Sequence, residues 1–184
     1  EFLRQGAHPV ILTAQWEGSW PESVVFGEVP VVRLRQPKQR VWGTLRYARA
    51  LRRWLKQNCH EIDVVYVSML KHDAYTAIGA CAGGKIPVVL RAEGAGSQGD
   101  CRWQQNSILG RCVRARCRQA DAFVAISSTI ESEMIEAGYR RSAICRIDNG
   151  VARRMSNDDR TRAAARRDLT DASPQFAIPD HGRL

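Results

Sequence analysis

Ile86-Pro87-Val88-Val89-Leu90-Arg91-Ala92-Glu93-Gly94-Ala95-Gly96-Ser97-Gln98-Gly99 is the stretch on which the fold turns. The apolar run Ile86 to Leu90 is too short for a helix, and Pro87 sits near its start, where a ladder donor is least missed, so it reads as a strand. Gly94 to Gly99 then forms a glycine-rich loop at the strand's carboxyl end, where open α/β sheets place their ligands. The loop matches G-x-G-x-x-G, whose glycines let a backbone approach a pyrophosphate while the next helix aims its N-terminus at the charge. The residues that follow argue against a dinucleotide. Asp100 puts an anion where the phosphate should lie, and Asp100 to Asn106 lacks the apolar period of a packing helix. Asp121, the acid about 20 residues on, stands before its strand rather than after it.

Outward from this stretch, short apolar runs alternate with helical patterns, which predicts a parallel sheet with helices on both faces. Upstream, Asp63 to Val67 reads as a strand, and Ala74 to Ala82 as a small-residue helix ended by Gly83-Gly84. Trp42 to Gln57 places Tyr47, Ala48, Leu51, Trp54 and Leu55 at helical spacing. Val10 to Thr13 and Val29 to Leu34 read as strands, the second interrupted early by Pro30, with a Trp- and Gly-containing loop from Gln15 to Phe26 between them. Glu1 to Gly6 resembles a last helical turn with its glycine stop, so the chain is expected to be a fragment. Downstream come a basic helix over Ile108 to Gln119 and a strand over Ala122 to Ile126. A further helix is expected to be capped by Ser128 with Glu131 three residues on and stopped by Gly138. A short strand over Ile144 to Ile147 closes at the turn Asp148-Asn149-Gly150. The strands from Val10 to Ile147 are expected to share one parallel sheet. After Val151 large apolar residues nearly vanish, so a domain is expected to end there, with a polar linker helix over Asp158 to Leu169 and a strand beginning at Phe176.

The chain has 184 residues, 44% hydrophobic and 26% charged, which excludes wholesale disorder and collagen-like or coiled-coil classes. No apolar run approaches the roughly 18 to 20 residues that cross a bilayer, and no secretory leader opens the chain, so it reads as soluble. The net charge of +9 is local: nine basic residues and no acid lie between Arg33 and Lys56. Arg46, Arg49, Arg53 and Lys56 share one helical face, opposite the apolar one. That face reads either as a solvated surface or as a stripe for anionic lipid headgroups. No reading helix, aromatic RNA-binding pair or zinc module supports nucleic acid. Six cysteines without a C-x-x-C indicate reduced thiols in a cytosolic protein, and His8, His60 and His72 show no metal spacing.

The residues nominated for a site lie at strand ends. Glu93 either orients or deprotonates a sugar hydroxyl beside the space left by Gly94, or pairs with Arg91 on its own side of the strand. Gly96 belongs to the same loop. Ser127 is the hydroxyl left over if Ser128 makes the cap.

Taken in order, Gly6-Ala7-His8-Pro9-Val10-Ile11-Leu12-Thr13, the Asp63 strand, Pro87 to Gly94, Ala120 to Ser127, Glu136-Ala137-Gly138-Tyr139 and Ile147-Asp148-Asn149-Gly150-Val151 resemble the N-terminal domain of GT-B glycosyltransferases of the large retaining family 4. The resemblance implies a Rossmann-like acceptor-side domain over residues 1–151 whose first strand precedes Glu1. It implies that residues 152–184 are a polar linker and the start of a truncated donor-binding domain. It further implies a parent that transfers a hexose with retention from a nucleotide-sugar donor to a carbohydrate or lipid-linked acceptor, without a cofactor or metal, and a fragment that is inactive alone. Family members often carry His-Gly where this chain has Glu93-Gly94, and Pro-Asn-Gly-Val where it has Asp148-Asn149-Gly150-Val151. Gly182-Arg183 is similar to the family's Gly-Arg, which assigns Arg183 to the donor diphosphate. The implied location is cytoplasmic, with a candidate peripheral contact on the inner, anionic face of the membrane. The alternative is a non-catalytic basic α/β domain that docks on anionic membrane or RNA.

Overall fold

A computed structural model of the chain describes residues 2–150 apart from 37, 39, 84 and 85. The expectations for Gly84, the linker helix, the strand at Phe176, the second domain and Arg183 therefore lie outside the described residues. Leu3–Gln5 form a 3-10 turn that ends at Gly6, whose φ of +78° is the left-handed stop expected of it.

Three strands come first: β1 (Ile11–Gln15), β2 (Ser23–Phe26) and β3 (Val29–Arg35). β1 runs parallel to β3, with Ile11 opposite Val31, and β2 returns antiparallel to β3. The expected loop from Gln15 to Phe26 thus contains a strand. Ser23-Val24-Val25-Phe26 and the run from Val29 are separated by two residues, and Gly27, with φ +61°, supplies the left-handed first position of a tight hairpin turn. Pro30 does not interrupt β3, because the β1 ladder begins only at Val31.

Next come α1 (Arg40–Gln57), β4 (Val65–Ser68), α2 (His72–Cys81) and β5 (Val88–Ala92). They are followed by α3 (Asp100–Asn106), α4 (Gly110–Cys117), β6 (Ala122–Ala125), α5 (Ser128–Glu136) and β7 (Ile144–Arg146). β4 to β7 form a four-stranded, all-parallel sheet in chain order, flanked by helices. One sheet was expected; among the described residues there are two, because no ladder joins β1 to β4. Both of those edges nevertheless rest on the same helices. Tyr47, Leu51 and Leu55 of α1 and Ala77 of α2 form a cluster that takes Leu12 and Ala14 from β1 and Val65 and Val67 from β4.

The main core lies under the four-stranded sheet. Period-2 alternation puts Val88, Leu90 and Ala92 on one face of β5, where Phe123 and Ala125 of β6 join them by register. Ile78, Val113, Ile130 and Met134 reach the same core from α2, α4 and α5. Phe123 is fully buried and meets the Tyr139 ring edge-on at 5.0 Å. Burying a side chain of that size is worth roughly 1.5–3 kcal/mol, so this layer fixes where the strand ends point.

Candidate active site at the strand ends

All four parallel strands deliver their carboxyl ends to one edge, and the loops there come from β4, β5 and β6. After β5 the chain makes a compact loop, a 3-10 turn over Gly96–Gln98 and then α3. Two glycines shape it for different reasons. Gly96 has φ +70°, a conformation that L side chains rarely adopt, while Gly99 has ordinary dihedrals but no room: a Cβ there would lie 2.8 Å from the Ala95 backbone and the Gly94 carbonyl. At Gly94 a Cβ would meet Gly99 Cα at 3.6 Å, an ordinary contact. The loop's own packing therefore does not demand glycine at 94.

The polar groups of the loop are held internally. The Glu93 amide donates to Asp100 Oδ2 at 2.8 Å, and the Gly96 amide donates to Glu133 Oε1 at 2.7 Å. Asp100 is 2% exposed and also faces Lys71 Nζ at 3.8 Å. Lys71 lies over the Trp103 ring, 5.8 Å from its centroid. The Glu93 and Gly96 amides are thus taken up by carboxylates of the chain itself.

Glu93 makes the alternative contact considered for it: its Oε1 lies 3.3 Å from Arg91 Nε, with both side chains about one-third exposed or less. Ser127, not Ser128, is the N-cap of α5 and accepts from the Ile130 amide at 3.3 Å. Ser127 has the extended backbone that an N-cap needs, whereas Ser128 is already helical. The structure therefore brings Glu93, Gly94 and Gly96 together in one loop, puts Ser127 at the end of the neighbouring strand, and leaves Arg183 outside the described residues.

Several residues of this edge were not nominated from the sequence. α3 forms although its pattern is not apolar, because its buried positions are polar and matched. Gln104, fully buried, donates from Nε2 to the Leu70 carbonyl at 2.7 Å and accepts from the Tyr139 hydroxyl at 2.9 Å. One amide thus ties the loops after β4 and β5 to the segment after α5. Met69, at the end of β4, holds φ +72°, unusual for a residue with a side chain. Lys71 adds a cation to this edge beside Arg91, and its signal in the sequence was its place just after the strand that ends at Ser68.

Burial governs the titrations nearby. It pushes the Cys117 thiol up to about 12 and the Cys101 thiol up to about 11, helped by Asp100 in the first case and by Glu133 and Asp100 in the second. It also raises the Tyr139 hydroxyl well above the usual tyrosine range, so Tyr139 stays a donor to Gln104. All six cysteines are free, three buried and three exposed. His72 packs edge-on against Trp103 at 5.1 Å, a packing role. Among the described residues, no group of three or more His, Cys, Asp or Glu side chains is placed to hold a metal ion, and no helix is long and apolar enough to cross a membrane.

Two solved structures share this fold. One is Anabaena Alr3699/HepE in complex with UDP-glucose, 16% identical, with a TM-score of 0.59, covering 89% of this chain and 50% of that one. The other is the same Anabaena protein in complex with UDP and glucose, 20% identical, with a TM-score of 0.56, covering 77% of this chain and 37% of that one. The chain thus spans half or less of the length of the proteins it matches. No curated protein matches it. The model of Glycosyltransferase Family 4 matches residues 1–153, which include every strand and helix described above. The chain belongs to Glycosyltransferase Family 4.

Proposed function

We propose that this chain is the acceptor-side part of a two-domain GT-B enzyme that transfers a hexose, with retention, from a nucleotide sugar to a carbohydrate or lipid-linked acceptor. The family match over residues 1–153 carries the reading, and the UDP-glucose held by the structurally similar HepE supports the donor class. In the transfer, the bond between the anomeric carbon and the diphosphate oxygen breaks. The acceptor oxygen bonds to that carbon on the same face, and its proton leaves with the diphosphate. Catalysis then rests on placing the two substrates and stabilising the departing charge. On this reading, the Glu93-Gly94-Gly96 loop lies beside the transferring carbon, where the size of Gly94 leaves room for the sugar. Ser127 borders the loop from the next strand, with its lone pair committed to Ile130 and its hydroxyl proton available to a substrate. Arg183 takes the diphosphate, and no metal is needed.

The same reading supplies a first strand from residues ahead of Glu1. It would lie between β1 and β4, the two edges that no ladder joins and that rest on one helical cluster. The strand would make the two sheets one and leave residues 152–184 as linker and donor-domain start. A cytoplasmic setting fits six free thiols. The test is calorimetric titration of the longer parent protein with UDP- and GDP-sugars, beside its Arg183→Ala variant. Binding that weakens at least tenfold in the variant supports the reading. Failure of every nucleotide sugar to bind the parent overturns it.

A further inference from the structure

The outward face of α1 has no part in the strand-end site. The helix is 18 residues long, about 27 Å. Tyr47, Leu51 and Leu55 are buried against α2 and the strands, and the opposite face carries Arg46, Arg49, Arg52, Arg53 and Lys56, all exposed. At 100° per residue these five fall within roughly 120° of arc, and Trp42 and Leu45 fall within the same arc. Trp42 is 64% exposed and Leu45 is 44% exposed. No acid occurs from residue 29 to residue 60.

An ordinary solvated helix face mixes signs. Here, like charges stand three and four residues apart along the face, which disfavours the helix. Some cations elsewhere find carboxylates: Arg35 pairs with Glu22, Lys38 with Glu17 and Arg91 with Glu93. None of the five cations of α1 is in a described ion pair, and the nearby Asp73 is turned inward to Tyr47. What the face lacks is an external, extended negative surface. A straight row of cations with a tryptophan and a leucine at one end matches a bilayer, where the cations lie among anionic headgroups and the apolar pair enters the headgroup boundary. A nucleic-acid strand calls instead for aromatics interleaved with the charges as stacking platforms, and here both apolar residues precede the first of the five.

We propose that the outward face of α1 is a docking surface for a membrane bearing anionic lipids. It acts independently of the transfer chemistry and lays the helix axis along the bilayer plane.

The test is co-sedimentation of the full 184-residue chain with vesicles of mixed phosphatidylserine and phosphatidylcholine, against phosphatidylcholine alone. Binding is expected only to the mixed vesicles and is expected to weaken with salt. Each exposed cation contributes about fivefold to the partition coefficient, so Arg49→Gln/Arg53→Gln should lower it by about 30-fold. Arg4→Gln/Arg141→Gln removes the same charge from other exposed positions and should change it less than about threefold. Trp42→Ala should abolish the binding that survives high salt. None of the three variants should melt below the parent, since every substituted side chain is exposed. Equal binding to both kinds of vesicle, an equal loss in the control pair, or binding to oligouridine without binding to mixed vesicles would each overturn the proposal.

Discussion

Replacing Gln104 by leucine removes the amide that joins three loops of the strand-end edge while keeping the side chain's size. The Leu70 carbonyl then loses its donor at 2.7 Å and the Tyr139 hydroxyl its acceptor at 2.9 Å, at a site where Gln104 and Leu70 have no exposure and Tyr139 only 3%. A buried polar group left without a partner costs about 1–3 kcal/mol, so Gln104→Leu should cost about 2–5 kcal/mol of unfolding free energy. That is a large share of the roughly 5–15 kcal/mol typical of a domain. Tyr139→Phe takes the donor from Gln104 Oε1 and the hydroxyl partner from Cys117, and should cost about 1–2 kcal/mol. In the double variant the hydroxyl that leucine would strand is already gone, so the combined loss should fall short of the sum by about 1 kcal/mol. Urea unfolding of the four proteins, followed by far-ultraviolet circular dichroism, measures all three quantities. A Gln104→Leu protein within about 0.5 kcal/mol of the parent, or strict additivity with Tyr139→Phe, would refute the claim that this amide holds the edge together.

Three further expectations concern the same edge. Ser127→Ala should cost about 1 kcal/mol in urea unfolding and Ser128→Ala under about 0.5, since only Ser127 caps α5. Gly99→Ala should destabilise by about 2 kcal/mol or more, because its methyl would meet backbone at 2.8 Å, whereas Gly94→Ala should be nearly neutral in the same assay. For pH, the folded Cys101 and Cys117 titrate near 11 and 12 against an ordinary 9.0, so above pH 9 the unfolded chain releases protons that the folded one keeps. The stabilisation by buried neutral thiols is therefore complete below pH 9 and lost as pH rises towards the folded values. The loss is about 1 kcal/mol per pH unit for each thiol, and Cys101→Ala/Cys117→Ala should remove that share of it, leaving the part due to Cys81, Tyr47 and Tyr139.

Much of the fold is legible in the sequence where packing follows periodicity. β5, β6 and α1 lie close to where Ile86 to Leu90, Ala122 to Ile126 and Trp42 to Gln57 predict them, because their apolar spacing is also their burial. β2 is missed because a four-residue exposed strand buries too little to leave a pattern, and its signal is the turn at Gly27 rather than its own residues. α3 is missed for the opposite reason: its inward positions Asp100 and Gln104 are polar, and only the tertiary partners Glu93, Leu70 and Tyr139 make their burial favourable. The cap shifts from Ser128 to Ser127 because adjacent serines offer the same hydroxyl one residue apart, and the exit of β6 decides which keeps an extended backbone. At the site, glycine content marks the loop, but sequence could not divide the glycines by task. Gly96 serves a left-handed turn and Gly99 a backbone approach, while Gly94 answers to neither. Lys71 and Glu133 join the edge through contacts across 29 and 37 residues, a separation that no local pattern encodes.

The central claim, sugar transfer from a nucleotide donor with retention, is tested most directly by following anomeric proton resonances while the parent protein is incubated with α-linked UDP- and GDP-hexoses and candidate acceptors. The account predicts decay of at least one nucleotide-sugar signal and growth of a product with the same α configuration. Nucleotide sugars that persist unchanged, or a product of β configuration, would contradict it.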